Sequence, residues 1–151
     1  MITTDQIYLD QSLPNKEDVF QFISAEAERY HITSNREQLE ADLWEREQVY
    51  STGLQDHFAI PHTQSEAVTR PAVMVIRLSE PIDWDSHDGK PVKTIFVILV
   101  PKGHVDVSHL RIISSLATLL LEDSFKEGIA AAAKPEDVYG LLHQYTEGLV
   151  S

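Results

Sequence analysis

Cysteine is absent from the 151-residue chain. That absence removes disulfides, zinc–thiolate centres and thiol nucleophiles together, and fits a cytoplasmic setting. Long apolar runs are missing as well: the longest, Ile95 to Val100, falls far short of the ~20 residues that cross a bilayer. The N-terminal stretch MITTDQIYLDQSLPNKED has acidic residues and no basic start before an apolar segment, so no signal peptide is expected. Basic charge is scarce, with 12 Lys and Arg against 24 Asp and Glu, a net charge of −12. The phosphate attraction that dominates nucleic-acid affinity would be repulsion over such a surface, which argues against nucleic acid and against anionic membranes. No Gly-rich G-x-x-x-x-G-K loop is present to cradle a nucleoside triphosphate, and no G-x-S-x-G elbow to carry a hydrolase serine.

What is present describes one ordinary folded domain, residues 1–151, with 42% hydrophobic and 24% charged residues. Asn15 to Asp18 opens a helical pattern with Val19, Phe20, Phe22, Ile23 and Ala27 apolar, running to about Tyr30. Ser34 or Asn35 caps a second helix, with Leu39, Leu43 and Trp44 on one face, which Ser51-Thr52-Gly53 stops near Tyr50. Ala72–Leu78 and Thr94–Val100 are nearly continuous β-branched runs, as expected of strands covered on both faces. The Asp-Gly turn of Pro81–Pro91 connects them. Helical spacing returns from Ser108, again from Glu122 to Ala133, and finally from Pro135. Helices before and after strands imply an α/β sandwich around a central sheet.

The chemical stock is seven histidines: His31, His57, His62, His87, His104, His109 and His143. His31 and His143 fall near helix ends and His87 in a polar turn, where a solvated imidazole needs no function. His62 follows the apolar Phe58-Ala59-Ile60 and Pro61, so a strand-like segment ends on an imidazole. His109 follows Ser108, a candidate N-cap, and therefore sits where orphan N–H groups and the helix dipole favour an anion. Two imidazoles and a guanidinium around such a helix start suit a phosphohistidine site, in which one ring nitrogen attacks phosphorus and the other groups hold the oxygens. The pairs His57-x4-His62 and His104-x4-His109 lack the spacing of a helical zinc pair, and Pro61 interrupts the first. No metal or other cofactor is expected.

Three stretches carry a resemblance. Arg46-Glu47, Ser51-Thr52-Gly53-Leu54 and Phe58-Ala59-Ile60-Pro61-His62 together resemble the phosphorylation motif of the mannitol/fructose-type enzyme IIA domains of the sugar phosphotransferase system. His109 to Ala117 is similar to the family's His-Leu-led helix, and Ile82 to Val92 to a loop of fructose-type members. The resemblance implies a mixed sheet flanked by helices on both faces. It also implies that His62 is phosphorylated by the carrier HPr and passes the group to enzyme IIB, with no sugar bound directly. His109 would support the phosphoryl group, Arg46 would be its cationic partner, and Thr63 and Ser108 would be further phosphoryl-binding candidates. The alternative is a regulatory module of the nitrogen-type branch, whose phosphorylation a partner reads. The chain departs from the family pattern at Gln55, Phe58 and Thr63. A modestly apolar rim around His62 is expected for brief protein contacts, with Ile60, Val68 and Leu110 as candidates.

Overall fold

The computed structural model describes residues 2–103 and 108–145, with the backbone alone at Ser108 and His109. Strands β1 (Ile7–Gln11), β2 (Phe58–Ala59), β3 (His62–Ser65), β4 (Ala72–Ile82) and β5 (Val92–Pro101) form one mixed sheet. β4 pairs antiparallel with β5 and parallel with β1, and β5 pairs parallel with both β2 and β3 on its other side. Helices α1 (Lys16–Arg29) and α2 (Arg36–Val49) precede β2, while α3 (Ser108–Leu119), α4 (Asp123–Ala131) and α5 (Pro135–Tyr145) follow β5.

Side-chain alternation along β4 and β5 builds two cores. Met74, Ile76, Ile95, Val97 and Leu99 pack with Phe20, Ile23, Leu39 and Leu43 of α1 and α2. Val73, Val75, Phe96 and Ile98 pack with Ile112 and Leu116 of α3, Phe125 of α4 and Leu142 of α5. Both faces are therefore covered, which is why these strands read as unbroken apolar runs. Burying each such side chain contributes about 1.5–3 kcal/mol.

The helix starts follow their signals. Asn15 Oδ1 accepts from Asp18 N at 2.8 Å, and Asn35, rather than Ser34, caps α2 by accepting from Gln38 N at 3.1 Å. β1 is absent from the sequence reading, because its five residues carry too short an alternation to announce a strand. β4 also runs on through Pro81 to Ile82, past the expected end at Leu78. Its pairing with β5 is irregular between Arg77 and Ile82, and such a slip spares proline the ladder bond it cannot donate. Among the described residues no helix is long and apolar enough to cross a membrane.

Candidate functional site

His62 does not end a strand; it begins one. β2 and β3 both lie along β5 in a single register, Ala59 opposite Ile95 and His62 opposite Ile98, interrupted only at Ile60 and Pro61. Pro61 has no N–H to give, yet its carbonyl still accepts from Ile98 N at 3.1 Å. Ile60 turns its own N–H away from the sheet to Thr52 O, 3.0 Å distant. Because the His57 and Pro61 carbonyls are the ones that accept from β5, alternation turns the Ile60 carbonyl outward, where it meets a side chain instead of a strand partner.

That side chain is the half-buried His62 imidazole. Its Nδ1 lies 2.7 Å from Ile60 O, and Arg46 Nε donates to its Nε2 at 3.2 Å. A carbonyl can only accept and a guanidinium can only donate, so the ring carries its proton on Nδ1 and keeps the Nε2 lone pair. The same guanidinium donates from Nη1 to Tyr50 O at 2.7 Å, which satisfies an α2 C-terminal carbonyl and fixes the fork. Arg46 lies in the last turn of α2, where the sequence placed it. Strand pairing sets His62 beside Ile98, on the face under α3, and Thr63 beside Leu99, on the face under α1 and α2. Arg46 therefore reaches round the sheet edge to meet the ring.

A second contact holds α2 to β3. Ser65 Oγ donates to Asp42 Oδ2 at 2.5 Å, and Gln38 Nε2 donates to the other oxygen of Asp42 at 2.8 Å. Asp42 stands one helical turn before Arg46, so two residues of one helix face grip both ends of the four-residue strand. Beyond Arg46, the buried Glu47 binds Lys16 and the Ser51–Thr52 segment. Sequence reasoning named neither carboxylate as part of the site, although Glu47 belonged to the recognised motif.

The ring opens on a groove of about 850 Å³ whose walls include Asp42, Arg46, Val49, Thr63, Lys102 and Leu110. Val49 and Leu110 are 78% and 57% exposed, so an apolar rim exists. Two expected members of it are corrected: Ile60 and Val68 are 3% and 4% exposed, because each packs into one of the two cores. Thr63 Oγ1 lies 3.4 Å from Gln64 O. Leu110 and Ile113 bring the start of α3 to the groove. His109 is the second residue of that helix and Ser108 is its first residue rather than its cap. The side chains of both, and all of His104, lie outside the described residues.

The remaining histidines have local explanations. His31 follows α1 at φ 57° and His143 is exposed in the last turn of α5. His87 Nε2 lies 3.1 Å from Ser51 O, with its ring edge-on to Tyr50. His57 Nδ1 lies 2.8 Å from Pro91 O. Among the described residues no group of three or more His, Cys, Asp or Glu could hold a metal ion.

Comparison with known proteins bears on the whole chain. The family described as "Phosphoenolpyruvate-dependent sugar phosphotransferase system, EIIA 2" matches residues 1–145. A fructose-specific EIIA component of Haloferax volcanii is 32% identical over 141 residues, 93% of this chain and 91% of that one. A multiphosphoryl transfer protein of Escherichia coli O6:H1 is 30% identical over 142 residues, 94% of this chain but only 17% of the relative's length. Among solved structures, the nitrogen regulatory protein IIA-Ntr of Neisseria meningitidis superposes with a TM-score of 0.87 at 31% identity, covering 93% of this chain and 95% of that one. With a mixed sheet between two helical layers and a histidine seated against an arginine at its edge, this chain belongs to the EIIA 2 family of the phosphoenolpyruvate-dependent sugar phosphotransferase system, whose domains are phosphotransferase components.

Proposed function

We propose that the chain is a phosphohistidine carrier that accepts a phosphoryl group from HPr on His62 Nε2 and passes it to an enzyme IIB. The observation that carries this reading is the imidazole held at both nitrogens, Nδ1–H on Ile60 O and Nε2 beside Arg46. The Nε2 lone pair forms the new P–N bond as the bond to the donor's histidine breaks. Positive charge that builds on the ring is received at Nδ1–H by the Ile60 carbonyl. Arg46 leaves the lone pair and turns onto the phosphoryl oxygens, which is the positioning and charge stabilisation that such transfers need.

His109 is assigned the supporting role beside this group, from its place in the first turn of α3. Ser108 lies at the same helix start and Thr63 borders the groove. Both are given secondary parts, Thr63 because strand alternation starts its side chain on the opposite face from His62. The exposed apolar rim of Val49 and Leu110 fits brief docking of protein partners, and the sugar itself is not bound.

Two branches compete for the acceptor. The Haloferax volcanii relative, named fructose-specific, favours sugar uptake. The likeness to the nitrogen regulatory protein favours a module whose phosphorylation is read by a partner. Residues 82–92 weigh less for the sugar branch than their sequence suggested, since Trp84 Nε1 donates to Thr52 Oγ1 and Asp88 accepts the N–H groups of Asp56 and Lys90. Incubation with phosphoenolpyruvate, enzyme I and HPr should place an acid-labile, base-stable phosphate on His62. Equal labelling of His62→Gln would sink the assignment. Onward transfer to IIB proteins of differing sugar class then separates the branches, and transfer to none of them favours the regulatory one.

A further inference from the structure

Arg46 touches one nitrogen of His62; its chain neighbour Glu47 is linked to the other through hydrogen bonds of Thr52 and Ile60. Glu47 is 7% exposed. Its carboxylate accepts from Lys16 Nζ at 3.0 Å, from Thr52 N at 3.1 and 3.3 Å and from Thr52 Oγ1 at 2.5 Å, with Ser51 Oγ 3.3 Å away. Thr52 Oγ1 in turn accepts from Trp84 Nε1 at 3.2 Å. The backbone of Thr52, so fixed, offers its carbonyl to Ile60 N at 3.0 Å. Ile60 then presents its own carbonyl to His62 Nδ1 at 2.7 Å, across a proline whose φ is locked.

We propose that Glu47 is the positioning residue that sets the tautomer and aim of His62, acting through Thr52 and the Ile60 backbone. Free histidine favours the opposite tautomer, with the proton on Nε2, and a ring in that form has no lone pair facing the groove. Something must hold Ile60 O against Nδ1, and β5 does not supply it, because Ile60 gives its N–H to Thr52 rather than to the ladder. Thr52 stands beside the lone Gly53–Ala59 bridge, and it is the Glu47 carboxylate that takes its N–H and its hydroxyl. A purely structural Glu47 would stabilise the loop and leave the ring indifferent. The unbroken series of hydrogen bonds from Glu47 through Thr52 and Ile60 to Nδ1 links loop and ring.

This inference rests on His62 as the phosphoryl acceptor only for its kinetic arm, and its test has an arm that does not. Long-range ¹H–¹⁵N spectra of protein labelled in the histidine rings report which nitrogen of His62 carries the proton, with no phosphate present. The unsubstituted protein should show Nδ1–H. Glu47→Gln should populate the Nε2–H form and lower kcat for acceptance from phosphorylated HPr about 10-fold, less than the ~10²-fold that a fully misplaced reacting group can cost, with KM for HPr nearly unchanged. Thr52→Val, which removes the hydroxyl between Glu47 and Trp84 with little change of shape, should move both readouts in the same direction by a smaller factor. Thr52→Ser should restore them. A folded Glu47→Gln with an unchanged His62 spectrum and rate overturns the proposal. If Glu47→Gln does not fold, Thr52→Val and Thr52→Ser decide it, and wild-type spectra in both overturn it. A tautomer shift in a protein that is never phosphorylated on His62 would instead overturn the carrier reading and leave the positioning role standing.

Discussion

His57 and His62 flank the same two-residue strand, and each rests its Nδ1 on a backbone carbonyl, at 2.8 Å from Pro91 O and 2.7 Å from Ile60 O. Half of the chemistry is therefore common to both. The difference lies at Nε2. For His62 that nitrogen meets Arg46 and a groove rimmed by exposed Val49 and Leu110. His57 is exposed at φ 74°, beside Asp56 at φ 58°, in a turn held by Lys126 Nζ on Asp56 Oδ2 at 2.8 Å and by Asp88 on the Asp56 N–H. One imidazole keeps its Nε2 lone pair beside a cation, the geometry that the proposed nucleophile needs; the other fastens a tight turn. Fixing a tautomer is necessary for this kind of chemistry, and a guanidinium at the second nitrogen is what distinguishes the two.

Exchanging the two rings for amides should break the comparison most sharply. His62→Gln should abolish phosphorylation by HPr, while His57→Gln should keep it within about 2-fold, as expected of a surface change away from the reacting atoms. Removing the cation comes next. Arg46→Ala should lower the transfer rate by about 10²-fold, the usual cost of a lost charge-stabilising donor. Arg46→Lys should fare nearly as badly, since one ammonium cannot span His62 Nε2 and Tyr50 O as the fork does. A lysine variant with nearly full activity would show that charge alone suffices.

Gly53 lies in the segment that backs the strand between both histidines, and it bridges Ala59. A Cβ there would stand 2.7 Å from Ser86 Oγ, 2.8 Å from Trp84 Cδ1 and 2.9 Å from Ser86 Cα. Gly53→Ala should destabilise the fold by about 1–3 kcal/mol in denaturant unfolding, because the backbone atom among these neighbours cannot swing aside. The smallest effect belongs to the His57 side. The hydrogen bond from Lys126 holds the Asp56 carboxyl below its usual range, and the Asp56 carboxylate holds Lys126 above its own. A depressed carboxyl adds stability above its unfolded pKa and loses it as pH falls through the folded one. A raised lysine adds stability below its unfolded pKa and loses it as pH climbs through the folded one. Asp56→Asn should therefore be slightly less stable at neutral pH and indistinguishable in acid below the carboxylate range, with HPr phosphorylation unchanged.

Much of the fold was readable from local signals. Asn15 and Asn35 announced two helices, and the runs 72–78 and 94–100 announced buried strands, because capping and burial act on neighbouring residues and leave a pattern in order. β1 and β3 were not readable: neither offers enough alternation, and β3 exists only because β5 continues a register across Pro61. The rim shows the same limit, since Leu110 is exposed while Ile60 and Val68 are buried, and three aliphatic residues look alike until their faces are assigned.

By itself the sequence determined the class of molecule. Its acidity, lack of cysteine and short apolar runs set aside whole families of function, and Arg46, His62 and His109 stood in motifs specific enough to name a family. Only the tertiary structure decided what the imidazole can do. Which ring nitrogen carries a proton depends on a carbonyl two residues away and a guanidinium sixteen residues away. Hydrogen bonds are directional and act over about 3 Å, so such a choice exists only after the sheet edge has brought α2 and β3 together.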